Sequence, residues 1–488
     1  MVVGTYLLSS SKNYYNCRAD VESRRARLPS RFGSMEAAQS TFEHYAPRLE
    51  TYRLVEAGTV SAEAAYRAIR DLDEAVGAVE GRGFEPTPFG PAPELAAAAG
   101  IGDSELWVKD ETGNVSGSHK ARHLFGVALT HRLEDADAGT GAPPYAIASC
   151  GNAALAAAVV ARAVGRPIDV FVPTWANEAV LSRISELGGR VVRCERDPGV
   201  PGDPAHHAML AAIEAGAVPF SCQGTETPAT IDGGRTLAWE MVDVLVGHDG
   251  GRPARLDRLF VQVGGGALAT AAVTGLADAV ARGDLDRLPR VHAVQPEGNH
   301  PLVRAWDTLV LELRTQQRSG GRDRDYFMDR IVSAQAAPQG TMDNRLRSTI
   351  AQETAPMSDD RLQESVGRLR YDPERYMRAW EQEPVSYASG ILDDITYDWI
   401  DVVEAMLASG GWPLVASEDN FRRAHRLAHE HTGIDVCPTG ASGLGGLLAL
   451  NAASEGTGSP GVSPGERVAV LFTGRMRPGD PDPLVSAP

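Results

Sequence analysis

The sequence predicts an α/β protein built on mainly parallel β-sheets with flanking helices. From Tyr145 onwards, short apolar runs alternate with longer stretches in which apolar residues recur at helical spacing. This alternation is typical of βαβ units, which form parallel sheets through right-handed crossovers. A second block of the same kind begins at Leu256, and the chain has 43% hydrophobic and 23% charged residues, the balance of a globular protein.

The elements follow in order along the chain. The stretch Ser34–Gly83 has the helical spacing seen in Ala62–Arg70, and the Pro-rich turn Pro86–Pro93 opens the main body. The polar stretch Arg314–Pro384 is predicted to be an irregular insertion or cover, with a loop at Arg318–Arg324. The predicted strands are Tyr145–Ala148, Ile168–Val172, Val191–Cys194, Val218–Ser221, Leu256–Val263, Arg290–Val294 and Arg467–Phe472. The predicted helices are a run ending at Val164, Asn177–Leu187, His206–Ala215, Ala267–Arg282, Trp399–Ala408 and Glu418–His431.

Charge and apolar content exclude several classes of partner. The 47 Lys+Arg against 64 Asp+Glu give a formal charge of −17, which repels nucleic-acid backbones. The best apolar run, Ala153–Ala161, falls far short of the roughly 20 residues that a membrane span needs. The 5 cysteines are odd in number and contain no CxxC pair, which indicates a reducing, cytoplasmic location without structural zinc. The segment Met1–Arg31 lacks the apolar core of a secretory signal, and Met35 is an alternative start.

Lysine is scarce in this chain, which makes each lysine informative. Of the 47 basic residues only Lys12, Lys109 and Lys120 are lysine. Lys120 follows a Gly/Ser/Asn loop where a helix should begin, and the helix dipole there favours the neutral amine that Schiff-base formation requires. The alternative is a plain surface charge. Lys109 lies beside Asp110 and Glu111 and is expected to form a salt bridge, and Lys12 is expected to be solvated.

A glycine turn joins a predicted strand to a predicted helix at Gly264–Gly266. Glycines let the backbone approach an anion, and the N–H groups at a helix start can bind a phosphate. The spacing of Gly264, Gly266 and Ala269 also fits a dinucleotide fingerprint, with Glu297 as its ribose-binding acid. Tight strand-to-helix packing without any ligand is the third possibility.

Two further turns carry polar groups at strand ends. Ser149–Asn152 could bind a carboxylate through its N–H groups, and the Asn152 amide could contact an oxygen of a bound ring; helix capping is the plain alternative. A hydroxyl at a strand end, as in Leu471–Gly474 or the turn Cys437–Gly443, can hydrogen-bond a pyridine-type nitrogen without protonating it.

Metal and serine-hydrolase chemistry have little support. His425 and His429 share a face of a predicted helix, with His431 nearby, but no carboxylate is suitably placed, so no metal site is expected. No Gly-x-Ser-x-Gly nucleophile elbow follows a suitable strand.

Taken in order, four motifs resemble the fold-type II pyridoxal-phosphate enzymes, the tryptophan synthase β-subunit-like family. The resemblance covers about Pro86 to Arg477, roughly 80% of the chain. His119 before the lysine is similar to tryptophan synthase β, whereas Asn152 and the Thr473–Gly474 pair are closer to threonine synthase and the serine/threonine dehydratases. The four motifs are Ser116–Arg122 for the Schiff-base lysine, Ser149–Ala153 for the asparagine loop, Gly264–Ala267 for the phosphate and Leu471–Gly474 for the ring nitrogen.

This resemblance implies a role for each motif. Lys120 would hold pyridoxal 5′-phosphate as a Schiff base and later move protons. Asn152 would contact the ring oxygen, Thr473 the ring nitrogen, and His119 would lie beside the cofactor. The implied phosphate ligands are Gly264, Gly265, Gly266 and Ala267, and the implied binders of the substrate carboxylate are Ser149, Cys150, Gly151, Asn152 and Ala153.

The resemblance also implies two lobes, each a mainly parallel sheet flanked by helices. We expect a helical N-terminal extension over 1–85, a large cofactor-binding lobe over 86–122 and 223–488 with a polar insertion at about 314–384, and a small mobile lobe over 123–222.

The implied activity is that of an amino-acid ammonia-lyase acting by β-elimination through an aminoacrylate. β-Replacement, as in a threonine-synthase-like enzyme, remains open. So do an NAD-dependent oxidoreductase using the glycine turn and a non-catalytic amino-acid sensor that keeps the fold. The expected partner is a small amino acid, with no nucleic acid and no membrane, and the expected assembly is a homodimer.

Overall fold

A computed structural model describes residues 40–134, 141–196, 203–317, 342–354, 358–454 and 461–484. Lys12, Met35 and the loop expected at Arg318–Arg324 lie outside these residues. The chain forms two compact units. Unit 1 comprises the described parts of 1–88, 111–241 and 477–480, and unit 2 those of 89–110, 242–476 and 481–488.

The described residues contain α-helices and strands in the following order. The helices are α1 (Thr41–Tyr45), α2 (Arg53–Glu56), α3 (Ala62–Glu80), α4 (Pro93–Ala98), α5 (Lys120–Glu134), α6 (Asn152–Ala163), α7 (Glu178–Glu186), α8 (Pro204–Glu214), α9 (Ala229–His248), α10 (Ala267–Arg282), α11 (Pro301–Gln317), α12 (Asn344–Thr354), α13 (Asp359–Tyr371), α14 (Pro373–Tyr376), α15 (Trp399–Ser409), α16 (Glu418–Thr432) and α17 (Ser442–Ser454). The strands are β1 (Phe89–Pro91), β2 (Glu105–Asp110), β3 (Tyr145–Ala148), β4 (Ile168–Pro173), β5 (Arg190–Cys194), β6 (Val218–Pro219), β7 (Arg258–Gln262), β8 (Arg290–Pro296), β9 (Leu414–Ala416) and β10 (Arg467–Phe472).

Unit 1 contains a parallel sheet in the order β5-β4-β3-β6. β3 and β4 are almost wholly buried, and every residue of α6 from Ala154 to Ala161 is buried as well. One face of these strands shares an apolar core with α6, and Ala146 and Phe171 belong to a second, smaller core. Near-continuous apolar runs of this kind are what a parallel sheet covered by helices requires. The predicted strand at Val218–Ser221 is shorter than expected, because only Val218 and Pro219 belong to it.

Unit 2 contains a six-stranded sheet in the order β1-β2-β10-β7-β8-β9. Only the β1–β2 pair is antiparallel; the other strand pairs are parallel. The last strand of the chain, β10, therefore lies between β2 and β7, and all six of its residues are buried. The predicted α/β class with mainly parallel sheets and helices near the N-terminus is confirmed.

The prediction of an irregular segment over Arg314–Pro384 is wrong for most of its described part, although residues 377–384 form no helix or strand. α11 continues to Gln317, and α12, α13 and α14 follow. In α13 the apolar residues Leu362, Val366 and Leu369 are buried at helical spacing, while charged residues occupy the other faces. The abundance of polar residues concealed this narrow apolar stripe.

The units differ in extent from the predicted lobes, because the N-terminal helices and residues 111–122 belong to unit 1. The aromatic ring of Phe42 in α1 lies 5.0 Å from the ring of Phe84 and 4.1 Å from that of Phe125 in α5, measured between centroids. Among the described residues no helix combines the length and apolar content needed to cross a membrane.

Candidate active site

Lys120 is the first residue of α5, at the end of a tightly turned loop. The Asn114 side chain accepts a hydrogen bond from the N–H of Val115 (2.8 Å), and Ser116 adopts a left-handed backbone conformation with φ of 55°. Such a conformation costs a non-glycine residue about 1–2 kcal/mol and is maintained only by its surroundings. The Ser116 N–H donates to a Glu80 carboxylate oxygen at 3.2 Å, which helps to hold the turn.

Polar residues close to Lys120 in the chain have unusual environments. The hydroxyls of Ser116 and Ser118 are buried and have no hydrogen-bond partner within the described chain. Burial, and next the charge of Lys120, lower the pKa of His123 to about 3. The neutral ring places Nδ1 2.7 Å from the Thr230 carbonyl, so Nδ1 carries the hydrogen and donates it. His119 lies beside it, with the two imidazole centroids 5.4 Å apart.

A buried ionic network follows two residues after Lys120. The guanidinium of Arg122 donates to Glu111 at 2.8 and 3.0 Å and to Glu240 at 2.7 and 2.8 Å, and all three side chains are almost completely buried. Thr236 and Thr87 hydroxyl oxygens accept further bonds from the same guanidinium. The network ties the first turn of α5, which begins at Lys120, to α9. Sequence analysis singled out Glu111 only as a neighbour of Lys109.

The turn between β3 and α6 contains the predicted carboxylate-binding residues, Ser149, Cys150, Gly151, Asn152 and Ala153, all half-buried. Gly151 precedes α6, and in the described chain no side chain caps the N–H groups of the first turn of α6. The capping alternative is therefore not supported. Instead, the Asn152 Oδ1 accepts a hydrogen bond from Arg477 at 3.1 Å.

Arg477 connects two of the sequence motifs. The nitrogen that reaches Asn152 also donates to the Ser116 carbonyl oxygen at 2.5 Å. The lysine loop and the asparagine turn are therefore joined within unit 1. Because Oδ1 is the acceptor, the Asn152 amide directs its N–H groups elsewhere, where a bound oxygen atom could receive them.

The glycine turn in unit 2 joins β7 to α10. Gly266 has φ of 102°, which favours glycine, and no side chain caps α10 in the described chain. A Cβ atom at Gly264 would collide with the carboxylate of Asp393 and would lie 2.9 Å from Cα of Ile391. The N–H of Asp398 donates to the Gly265 carbonyl at 2.9 Å. The segment 391–398 therefore packs closely against this turn, a contact that no local sequence pattern predicts.

Thr473 is also in unit 2, directly after β10, and its side chain is buried. Its hydroxyl oxygen accepts a hydrogen bond from Nε2 of Gln262, the last residue of β7, at 2.8 Å. Sequence analysis missed Gln262, although a polar residue inside the apolar run of a buried strand was a usable signal.

The candidate residues thus fall into two groups. His119, Lys120 and residues 149–153 belong to unit 1, and Gly264–Ala267 and Thr473 belong to unit 2. Glu297, the acid of the dinucleotide alternative, is exposed to solvent. His425 and His429 both contact the Val436 carbonyl oxygen, and within the described ranges no cluster of histidine, cysteine or acidic residues is arranged to hold a metal ion.

Comparison with known proteins identifies the family of this chain. A family model described as pyridoxal-phosphate dependent enzyme matches residues 81–342. Threonine synthase from Synechocystis is 28% identical over 246 residues, which are 50% of this chain and 58% of that protein. L-serine dehydratase from Saccharomyces cerevisiae is 25% identical over 196 residues, 40% of this chain and 58% of that protein. The chain spans little more than half the length of these curated relatives.

Solved structures show the same fold. Diaminopropionate ammonia lyase from Escherichia coli, crystallised with an aminoacrylate-PLP azomethine intermediate, matches with a TM-score of 0.54 at 16% identity, over 85% of this chain and 89% of that one. At 16% identity this similarity establishes a shared fold only.

Proposed function

Because the chain belongs to the pyridoxal-phosphate-dependent enzyme family, we propose that it is an amino-acid ammonia-lyase in which Lys120 binds the cofactor and moves the protons. The observation that carries this proposal is the position of Lys120, a half-buried residue that begins α5 and follows, within four positions of the chain, two serines whose buried hydroxyls lack partners in the described chain. Buried polar atoms without partners are rare and indicate a missing ligand or solvent molecule.

The residues present fit the cofactor of this family, pyridoxal 5′-phosphate. The phosphate would be held by the N–H groups of Gly264–Ala267 at the uncapped start of α10, where the helix dipole favours an anion. The Asn152 amide would contact the ring oxygen and the Thr473 hydroxyl the ring nitrogen, with His119 beside the cofactor. The Asp393 carboxylate would repel a phosphate bound near Gly264, so we expect moderate rather than very high affinity for pyridoxal 5′-phosphate.

The bound cofactor supplies an electron sink that acidifies the Cα–H bond of an amino acid. The N–H groups of residues 149–153 would bind the substrate carboxylate and fix its orientation. Nζ of Lys120, displaced by the substrate amine, would take the α-proton and transfer it to the departing β-substituent. Neutral His123 cannot compete with Lys120 for that proton, because its pKa is about 3.

The proposed lyase reaction balances when it is written with free substrates and products. A β-hydroxy amino acid loses water across Cα and Cβ, and hydrolysis of the released enamine consumes one water and yields a 2-oxo acid and ammonium. With 2,3-diaminopropionate the first product is ammonia instead of water, so two ammonium ions form. β-Replacement is the second candidate, favoured by the 28% identity to a threonine synthase.

Borohydride reduction followed by peptide mass spectrometry tests the assignment of Lys120. The reduced holoprotein should carry a pyridoxyl group on Lys120, and Lys120→Ala should carry none while still folding, as judged by circular dichroism. A label on Lys109, which is fully buried in β2, or no label on the wild type would refute the assignment.

Product analysis separates the candidate activities. Serine, threonine and 2,3-diaminopropionate are offered in turn, and the 2-oxo acid and ammonium are quantified. Formation of both supports the lyase, whereas turnover only when a second nucleophile is added supports β-replacement. Binding without exchange of the α-proton in deuterated water would identify a sensor. The homodimer remains our expectation, to be measured by light scattering after size-exclusion chromatography.

A further inference from the structure

A four-residue turn near the end of the described chain, Arg477–Asp480, belongs to unit 1. It is closed by two hydrogen bonds: the N–H of Asp480 donates to the Arg477 carbonyl oxygen at 3.0 Å, and the Asp480 carboxylate accepts from the N–H of Arg477 at 2.8 Å. Gly479 has φ of 96°, which favours glycine. We call these four residues the clip. The clip is a defined turn, and none of the four sequence motifs includes it.

Through Arg477 the clip contacts the lysine loop, residues 114–119, at its strained residue. Ser116 has a left-handed backbone conformation, and both of its main-chain groups bond charged side chains. Its N–H donates to Glu80 at 3.2 Å, and its carbonyl oxygen accepts from Nη2 of Arg477 at 2.5 Å. Hydrogen bonds to charged groups are the stronger kind, and a strained residue persists only where its surroundings hold it. The clip therefore helps to fix the loop that leads into Lys120.

The same nitrogen of Arg477 also donates to Oδ1 of Asn152 at 3.1 Å. Asn152 begins α6, within the turn 149–153 that we assign to the substrate carboxylate. One donor thus bonds an oxygen in each of two segments, so neither segment can shift without stretching a hydrogen bond. This contact fixes the lysine loop relative to the carboxylate-binding turn.

A third contact anchors the clip to the start of α7. Oδ1 of Asn177 accepts from the N–H groups of Ala179 and Val180 at 2.9 and 3.4 Å, so this atom must be the oxygen of the amide. Nδ2 consequently donates to the Pro478 carbonyl oxygen, at 3.0 Å. A Cβ atom at Gly479 would lie 3.0 Å from that nitrogen, so the clip approaches Asn177 closely.

The segments that the clip contacts include two at the carboxyl edge of the unit 1 sheet. The turn 149–153 follows β3, the segment that contains Asn177 follows β4, and these strands are parallel neighbours. In open parallel sheets, ligands bind outside the carboxyl ends of the strands. The clip therefore lies at the edge of unit 1 where the substrate carboxylate is proposed to bind.

We propose that the clip is part of the substrate site, and that Arg477 and Asn177 are positioning residues that hold the carboxylate-binding turn in place relative to the lysine loop. This inference rests on the proposed function, because it requires the substrate carboxylate to bind at residues 149–153. Neither positioning residue has to touch the substrate. A binding group that is already ordered costs less to immobilise when the substrate arrives. Loss of the clip should therefore weaken substrate binding more than it slows the chemical step.

Steady-state kinetics of the holoprotein test the role of Arg477. Arg477→Met should raise KM for the amino acid about tenfold, with a smaller change in kcat. Arg477→Lys should stay within about threefold of wild type, because a single nitrogen makes both hydrogen bonds and an ammonium group can replace it. Arg475→Met is the matched control, since Arg475 is exposed and only two positions earlier, and it should leave KM unchanged. Equal KM values for Arg477→Met and Arg475→Met would overturn the proposal.

Asn177→Asp tests the anchor without removing the cap of α7. Aspartate caps a helix about as well as asparagine, but it lacks the N–H that bonds the Pro478 carbonyl oxygen. Loss of this hydrogen bond should raise KM about threefold. In an Arg477→Met background the same change should add little, because both residues act through the clip. Fully additive effects, or an Asn177→Asp enzyme with the KM of wild type, would contradict the proposal.

Hydrogen exchange of the full chain without substrate gives a readout that does not depend on turnover. In Arg477→Met the backbone N–H groups of residues 112–119 and 149–156 should exchange about tenfold faster than in wild type, while those of β3 and β4 should not change. Unchanged exchange in the first two segments would refute the proposal. Faster exchange throughout unit 1 would also refute it, because that result would show general destabilisation instead of a local role.

The outcomes separate this inference from the proposed function. If amino acids bind without turnover, the lyase is refuted, and a Kd that rises about tenfold in Arg477→Met at unchanged cofactor affinity supports the clip. If turnover is confirmed and Arg477→Met behaves as wild type, the clip alone is refuted. If the wild type binds no amino acid, both are refuted.

Discussion

Replacing Arg122 with methionine should destabilise the protein by about 3–5 kcal/mol, the cost of removing one partner from a buried ionic cluster. The guanidinium is completely buried and donates four hydrogen bonds to the carboxylates of Glu111 and Glu240, whose side chains are 0% and 2% exposed. Burial alone would lower the pKa of Arg122, but the charges of these two acids more than offset it, and the pKa is raised. Arg122 is therefore charged whenever the protein is folded.

The expected loss of stability comes from the two carboxylates that remain buried without a cation after the substitution. Without Arg122, Glu111 and Glu240 would be two carboxylates in an apolar site, and burial and mutual repulsion would raise their pKa values. A group with a raised pKa in the folded state contributes stability at low pH that is lost as pH rises. The deficit of Arg122→Met relative to wild type should therefore be larger at about pH 8 than at about pH 5.

Urea unfolding followed by circular dichroism, at both pH values, measures this deficit. Arg132→Met is the matched control, because Arg132 is on the same helix and its ion pair with Asp71 is exposed, at 43% and 47% of the two side chains. The control should lose less than about 1 kcal/mol. If Arg122→Met loses no more than Arg132→Met, the buried network does not stabilise the first turn of α5 as we infer.

Three further predictions concern Asp393, Glu404 and Arg477. Asp393→Asn should raise the affinity for pyridoxal phosphate about tenfold or more, because it removes a negative charge beside Gly264. Absorbance titration measures this affinity. An equal gain in affinity for pyridoxal, which lacks the phosphate, would contradict the prediction. Burial, and next the charge of a neighbouring acid, raise the pKa of Glu404 from 4.5 to about 7, so it contributes stability that is lost as pH rises from 4.5 to about 7. Glu404→Gln should therefore be more stable than wild type by up to about 3 kcal/mol at about pH 8 and equal to it at about pH 4, in urea unfolding; a difference independent of pH would count against this. Arg477→Met should raise KM for the amino acid about tenfold with a smaller change in kcat, because it orients Asn152; an unchanged KM in steady-state kinetics would contradict that role.

The periodic elements could be predicted because their signals are local. The helix Ala267–Arg282 and the strand Arg467–Phe472 have the bounds that their apolar patterns predicted. The helix α13 was missed because its apolar stripe is narrow and surrounded by charge. The stability of α13 comes mainly from burial of its apolar stripe against neighbouring elements, and a polar sequence does not reveal that burial.

For the candidate site, the sequence alone determined the fold class, the family resemblance and the placement of Lys120 at a helix start. These depend on residues close together in the chain, where turn geometry and apolar spacing act directly. Only the tertiary structure decided which groups these residues contact: Gln262 with Thr473 across 211 positions, and Arg477 with Asn152 across 325. Hydrogen-bond and charge partners are selected by how distant segments pack, and a single sequence carries no record of those distances.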